Sequence, residues 1–282
     1  MAEPFGARLL ARVAVTSPLC VGLDPSSGLL AKWGLEDSAE GVEAMSRTTL
    51  EAVAEVAAAV KPQVAYFERH GSQGIAALER VIAEARSAGL LVVADAKRGD
   101  IDATMAAYGE AWLADSSPLA ADALTVTAYL GLGAMSQVAE LARATGRGLF
   151  CVVASSNPEG RGLQEATTAT GRRVEEQLLE ELAAWNAAEV NEGAAVGSFG
   201  AVVGATRTAG TLALGSLNGP YLVPGVGAQG ATAKDVGALF SQVAPHSVLV
   251  NASRSILAEG PDAGAVRRAA SALGGELSDA LH

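Results

Sequence analysis

A chain of 282 residues, half of them hydrophobic, can bury one large core, and α/β barrels of this size are commonly a single domain. A formal net charge of −11 speaks against a nucleic-acid binder, which would show a basic face, and leaves any small anionic ligand dependent on locally placed cations. Residues 208–233 carry no charge, but Gly215, Gly219, Pro220, Pro224 and Gly225 break the run, so no membrane span is expected.

The first residues lack the charged, apolar, small-residue order of a secretory signal. Cys20 and Cys151 each lie in an apolar run, as buried reduced thiols do, and a cytoplasmic location is expected. Apolar strand-like runs fall at 19–23, 58–65, 90–94, 123–128, 149–154, 199–204, 221–226 and 247–251. Helical patterns lie between them at 38–57, 72–88, 101–115, 134–144 and 172–191, with a short one at 208–214, then 232–242 and 262–270. Eight strands, each followed by a helix, predict a (β/α)8 TIM barrel, and with no linker-like segment residues 1–282 read as one domain. The second strand is the least regular, because Lys61-Pro62 interrupts it and proline lacks a ladder donor. Residues 157–171 form a long polar loop of the kind that serves as a lid.

The third strand runs straight into charge: L-L-V-V-A-D-A-K-R-G-D at 90–100. A period of two puts Asp95 and Lys97 on one face at its C-terminal end. By itself this reads either as a structural ion pair, with Asp100 capping a helix from Ile101, or as a catalytic pair. Other polar residues gather at the same ends of other strands: Asp24 after the first, Lys61 in the second, Ser155 and Ser156 after the fifth. Residues 224–230 and Arg254 follow the seventh and eighth. That is the end at which barrel enzymes build their sites, often with phosphate held after strands seven and eight. P-G-V-G-A-Q-G at 224–230 suits such a cradle, since glycines let backbone N–H groups approach an anion. Its match to the dinucleotide fingerprint is weak, because that motif belongs to the first turn of a doubly wound sheet. No C-x-x-C, H-E-x-x-H or G-x-S-x-G occurs, so neither a zinc site nor a serine hydrolase is expected.

Seven short motifs follow one another in the chain: V-G-L-D-P at 21–25, V-K-P-Q-V-A-Y-F-E at 60–68, D-A-K-R-G-D-I at 95–101, T-A-Y-L-G at 127–131, S-S-N-P at 155–158, P-G-V-G-A-Q-G at 224–230 and N-A-S-R at 251–254. Together they resemble the orotidine 5′-phosphate decarboxylase family in its longer bacterial subgroup. Ala231 and Ser253 depart from that pattern, each standing where the family often has glycine.

The resemblance implies decarboxylation of orotidine 5′-phosphate to uridine 5′-phosphate (UMP) without a cofactor or metal. It implies that Lys97 donates the proton that replaces the carboxylate and that Asp95 lies against the departing group. Lys61 would hold Asp95 and a ribose hydroxyl, and Asp24 another hydroxyl. Pro224, Gly225, Val226, Gly227, Gln229 and Arg254 would surround the phosphate, and Ser156, or its neighbour Ser155, would meet the pyrimidine edge. Asp100, Ile101 and Thr104 would reach into the partner's site, making a homodimer the catalytic unit. Three rivals are a magnesium-dependent barrel acting on sugar phosphates, a non-catalytic nucleotide-phosphate-binding barrel, and a structural or scaffolding barrel. The first shares D-x-K-x-x-D but needs an acid on the second strand, where this chain has Lys61.

Overall fold

The computed structural model describes residues 2–227 and 230–281. Eight strands, β1 (Leu19–Leu23), β2 (Ala59–Pro62), β3 (Leu91–Arg98), β4 (Ala123–Val126), β5 (Gly148–Ala154), β6 (Phe199–Val203), β7 (Tyr221–Pro224) and β8 (Val248–Ala252), pair in chain order. All are parallel, and β8 returns to β1, closing the expected (β/α)8 barrel. Alternation along each strand sorts the side chains. Cys20, Ala59, Val93, Ala123, Phe150, Val202, Leu222 and Leu249 face inward and are buried together. Val21, Val60, Val92, Leu124, Val203, Val223 and Val250 face outward and pack under the helices. Two residues beyond the inward set stand Lys61, Asp95, Thr125, Val152, Pro224 and Asn251, so the same alternation that fills the barrel delivers polar groups to its mouth.

The helices are α1 (Phe5–Val15), α2 (Ser27–Lys32), α3 (Ala39–Val53), α4 (Ala65–Glu68), α5 (Gly71–Ser87), α6 (Asp102–Leu113), α7 (Ser136–Ala144), α8 (Arg161–Gln164), α9 (Val174–Asn191), α10 (Ala233–Leu239), α11 (Arg254–Leu257) and α12 (Ala263–Leu281). Helix α1 is not among the expected elements, although Phe5, Leu9 and Val13 recur at a helical spacing. It closes the N-terminal end of the barrel, where the Phe5 ring meets Phe150 edge-on at 5.8 Å between centroids. Gly148 makes room for it: a Cβ there would come within 2.4 Å of the Phe5 ring.

Several expectations need correction. The second strand stops at Pro62 rather than 65, and the chain turns into α4. The third runs on to Arg98, so Asp95 and Lys97 belong to the sheet itself. No helix forms at 208–214; that stretch is turns leading into a short 3-10 turn, Leu214–Ser216, and buried Leu212, Leu214 and Leu217 cover the barrel instead. The last helix does not end at 270 but continues through Gly274 and Gly275 to Leu281. Gly274 costs helix propensity, yet a Cβ there would meet Ser17 Oγ at 2.8 Å, so the glycine lets α12 lie close against the chain entering β1. Within 157–171 the chain forms a 3-10 turn at Pro158–Gly160 and then α8. Among the described residues no helix is long and apolar enough to cross a membrane. Cys20 and Cys151 are unbridged and buried, and burial pushes both thiols up to about 12.

Candidate active site

A cavity of about 300 Å³ opens at the C-terminal mouth of the barrel. At its base a row of charges runs from β2 to β3. Lys61, only 4% exposed, places Nζ 2.7 Å from Asp95 Oδ2 and 3.3 Å from Gln63 Oε1. Lys97 Nζ lies 2.6 Å from Asp95 Oδ1. Thr125 Oγ1 on β4 donates to the same Asp95 oxygen at 3.0 Å. Burial would raise the Asp95 carboxyl, but the pull of Lys61 and Lys97 and their hydrogen bonds outweigh it and hold it at about 2. Burial opposes the charge on Lys61 as well, and Asp95 and Asp24 more than compensate, raising it. The Asp95 carboxylate and the Lys61 amine therefore stay ionised at neutral pH within one hydrogen-bonded set that Lys97 completes, the arrangement that makes a buried charge tolerable. Lys97 takes a positive φ of 48°, a conformation that costs an L-residue about 1–2 kcal/mol.

Among the described residues the buried Oδ1 of Asp24, after β1, has no partner, and neither has Asn251 Oδ1 or Ser253 Oγ at the end of β8. All three residues line the cavity, and their side chains cluster over Gly22, where a Cβ would come within 2.8 Å of Ser253 Cβ and 3.3 Å of Asn251 Oδ1 and Asp24 Oδ1. Buried polar atoms left without partners are expensive, so the cluster is built to meet hydroxyls or amides of something bound.

Across the mouth, Pro224, Gly225 and Val226 line the wall with Arg254, which opens α11 and has no carboxylate partner among the described residues. Gly225 and Gly227 have φ of 109° and 72°, which only glycine adopts readily. The Gly227 N–H already donates to Ala231 O at 2.9 Å, so it folds the loop on itself. Gln229 lies outside the described residues. Ser155 and Ser156 both line the cavity, but their neighbours separate them. Ser155 Oγ donates to Asn157 and accepts from Gln164 Nε2 at 2.8 Å, tying α8 to β5, while Ser156 makes no such bond among the described residues. Buried Arg207 pairs with Glu175 at 2.5 Å and Glu165 at 3.1 Å, so the loop after β6 ties the middle of the 157–171 segment to the first turn of α9.

Asp100, Ile101 and Thr104 are not on the wall. Asp100 Oδ1 accepts from the Ile101 N–H at 2.8 Å, and α6 begins at Asp102, so Asp100 is one position too early to cap the helix amides. Ile101 is 49% exposed, and Tyr129 and Leu130 after the adjacent strand β4 are 80% and 52% exposed. Gln63, Thr125 and Asn251 are cavity residues that sequence reasoning did not single out, and Ser253, noted there only as a departure from the family pattern, lines the cavity too. For Thr125 and Asn251 the signal was present, since each stands two residues beyond an inward-facing apolar position.

The model of the orotidine 5′-phosphate decarboxylase / HUMPS family matches residues 17–269. The chain belongs to that family. A relative from Streptomyces coelicolor named orotidine 5′-phosphate decarboxylase is 50% identical over 99% of both chains. A crystal structure from Streptomyces avermitilis is 50% identical, with a TM-score of 0.92 over 99% of this chain and 96% of that one. The Leishmania donovani OMP decarboxylase structure is 30% identical, with a TM-score of 0.77 over 99% of each chain. Within the orotidine 5′-phosphate decarboxylase / HUMPS family fold, the charged row, the orphan acceptors and Arg254 thus occupy three sides of one cavity.

Proposed function

We propose that the Lys61–Asp95–Lys97 row and Arg254 carry out the decarboxylation of orotidine 5′-phosphate to UMP, a carboxy-lyase step of pyrimidine biosynthesis. Relatives of that name are 49–50% identical to the chain over 98–99% of it. The observation that carries the assignment of roles is the row itself: an ionised carboxylate gripped from both sides by amines, where a metal-dependent barrel would need a second acid. Losing carbon dioxide from C6 leaves an electron pair there with no electron sink. A fixed ammonium at that point stabilises the charge and can supply the proton that replaces the carboxylate, and this is the role of Lys97. Asp95 faces the departing carboxylate. Two unit charges 4 Å apart interact by about 4 kcal/mol at an effective dielectric near 20. That is roughly three powers of ten, far short of enzymatic accelerations of about 10¹⁷, so ground-state repulsion is a minor share.

Remote binding supplies much of the rest. Arg254, Gln229 and the Gly225–Val226 backbone hold the phosphate, the Gly227 N–H being taken by Ala231; Asp24 and Lys61 hold ribose hydroxyls, and Ser156, which lacks the tie that binds Ser155 to Gln164, meets the pyrimidine edge. The 157–171 segment closes over the site and excludes water. Arg254→Ala is expected to lower kcat/KM for orotidine 5′-phosphate at least tenfold more than for orotidine, since the nucleoside lacks the group the guanidinium grips. Equal losses would place Arg254 outside the phosphate site.

The functional unit is a cytoplasmic homodimer of one-domain subunits, residues 1–282 each, with no nucleic-acid or membrane partner. Exposed Ile101, Tyr129 and Leu130, on loops after neighbouring strands, form the apolar edge that a second copy covers, bringing Asp100, Ile101 and Thr104 to its site. Protein dialysed against a chelator is expected to keep full activity, because Lys61 and Lys97 stand where a cation would bind. Activity lost on dialysis and restored by magnesium would point instead to sugar-phosphate chemistry. Following the absorbance of orotidine 5′-phosphate as it is consumed tests the assignment directly.

A further inference from the structure

Between Ala94 and Arg98, β3 falls out of register with β4. Ala94 pairs with Leu124 and Arg98 with Val126, so three residues on β3, 95 to 97, face Thr125 alone. Backbone pairing resumes where Thr127 N donates to Arg98 O at 2.9 Å. Such a bulge leaves amides without ladder partners and re-aims side chains, and here it is the stretch that holds both Asp95 and Lys97. On the other side, the Asp95 backbone is still bridged to Gln63 beyond β2.

One side chain fills the gap. Thr125, 1% exposed, accepts the Lys97 N–H on Oγ1 at 2.9 Å and points its own hydroxyl proton at Asp95 Oδ1, 3.0 Å away. A hydroxyl carries one proton and can accept as well, so both bonds are met at once. Its other acceptor, Ala94 O, is farther at 3.4 Å. Lys97 is held at its positive φ by this bond from its own amide, and its ammonium is aimed at the carboxylate that the same hydroxyl orients.

We propose that Thr125 is a positioning residue for the decarboxylation, its hydroxyl pinning the β3 bulge so that Lys97 Nζ and the Asp95 carboxylate stand in reacting geometry. The inference rests on the reading of Lys97 as the proton donor. Thr125→Val keeps the shape and removes both hydrogen bonds. It is expected to lower kcat about ten- to hundredfold, the scale on which small misplacements of a reacting group act. UMP lacks the carboxylate that meets Asp95 and Lys97, so its dissociation constant should move less than about threefold. Thr125→Ser retains the hydroxyl and should bring kcat back to within about threefold of the unaltered protein. Thr125→Ala, which introduces no clash, should lose kcat as Val does, so a poorly folded Val variant still leaves a test.

Lys97→Ala assayed alongside separates the two readings. If Lys97→Ala is inactive while Thr125→Val and Thr125→Ala keep kcat within threefold, the role of Thr125 is overturned and that of Lys97 stands. A Ser variant as impaired as Val, or kcat and UMP affinity falling in step, overturns it too. Substantial activity in Lys97→Ala overturns the donor reading beneath both.

Discussion

Lys97→Ala should abolish nearly all turnover while the protein stays folded. The side chain is 47% exposed, and its bond to Asp95 is one of several that carboxylate makes, with Lys61 and Thr125 remaining. Its removal therefore opens no cavity in the core and leaves Asp95 paired, and the melting temperature should fall by only a few degrees. The reaction loses far more. General acids typically contribute about 10²–10⁴-fold, and here the same ammonium also faces the developing charge. Substrate should bind less tightly as well, since its carboxylate meets Asp95 with one cation fewer. Steady-state kinetics on the purified variant, with a thermal melt, would check both halves; more than about a tenth of the original kcat would remove Lys97 from the role of proton donor.

The second large effect is a recovery of activity. Lys97→Ala and Asp100→Asn homodimers are each expected to be nearly dead, the former through its own site and the latter through its partner's. Lys97 lines its own subunit's cavity, whereas Asp100 is not among the residues that line it and lies on the loop before α6. In a two-fold dimer of one subunit of each kind, one site carries both lesions and the other neither. Random pairing makes half the dimers mixed, so unfolding and refolding an equal mixture should return roughly a quarter of the original activity. Native mass spectrometry would confirm that mixed dimers are present. If they are, and the mixture stays as inactive as its parents, Asp100 serves its own subunit's loop, where its bond to the Ile101 amide would be its whole contribution.

The charged row was legible in the sequence because its determinants are local. An apolar run ending in D-x-K places both side chains on one strand face, and the same inward parity that buries Ala59 and Val93 carries on to Lys61 and Asp95. Arg254 and the glycine-rich segment could be placed near the mouth because in this fold every strand ends there. Asp100 shows the limit of local reading: the sequence allowed a helix cap, and the cap requires the helix to start one residue earlier than it does.

Sequence by itself determined the barrel, through eight apolar runs separated by helical patterns, and the residue types at its mouth, through alternation along each strand. Both are properties of neighbours in the chain, where periodicity is a direct consequence of backbone geometry. Tertiary structure alone decided the rest. Whether Thr125 meets Asp95 and Lys97 depends on how β3 slips against β4, and which of the two cavity serines, Ser155 or Ser156, is tied up by a side chain depends on Gln164 returning from α8. Gly274 stands inside α12 because Ser17 leaves no room there for a side chain, and the stretch after β6 forgoes a helix while Leu212, Leu214 and Leu217 bury themselves in the core without one. In each case the deciding contact joins residues on different elements, and its energy exists only once those elements have packed.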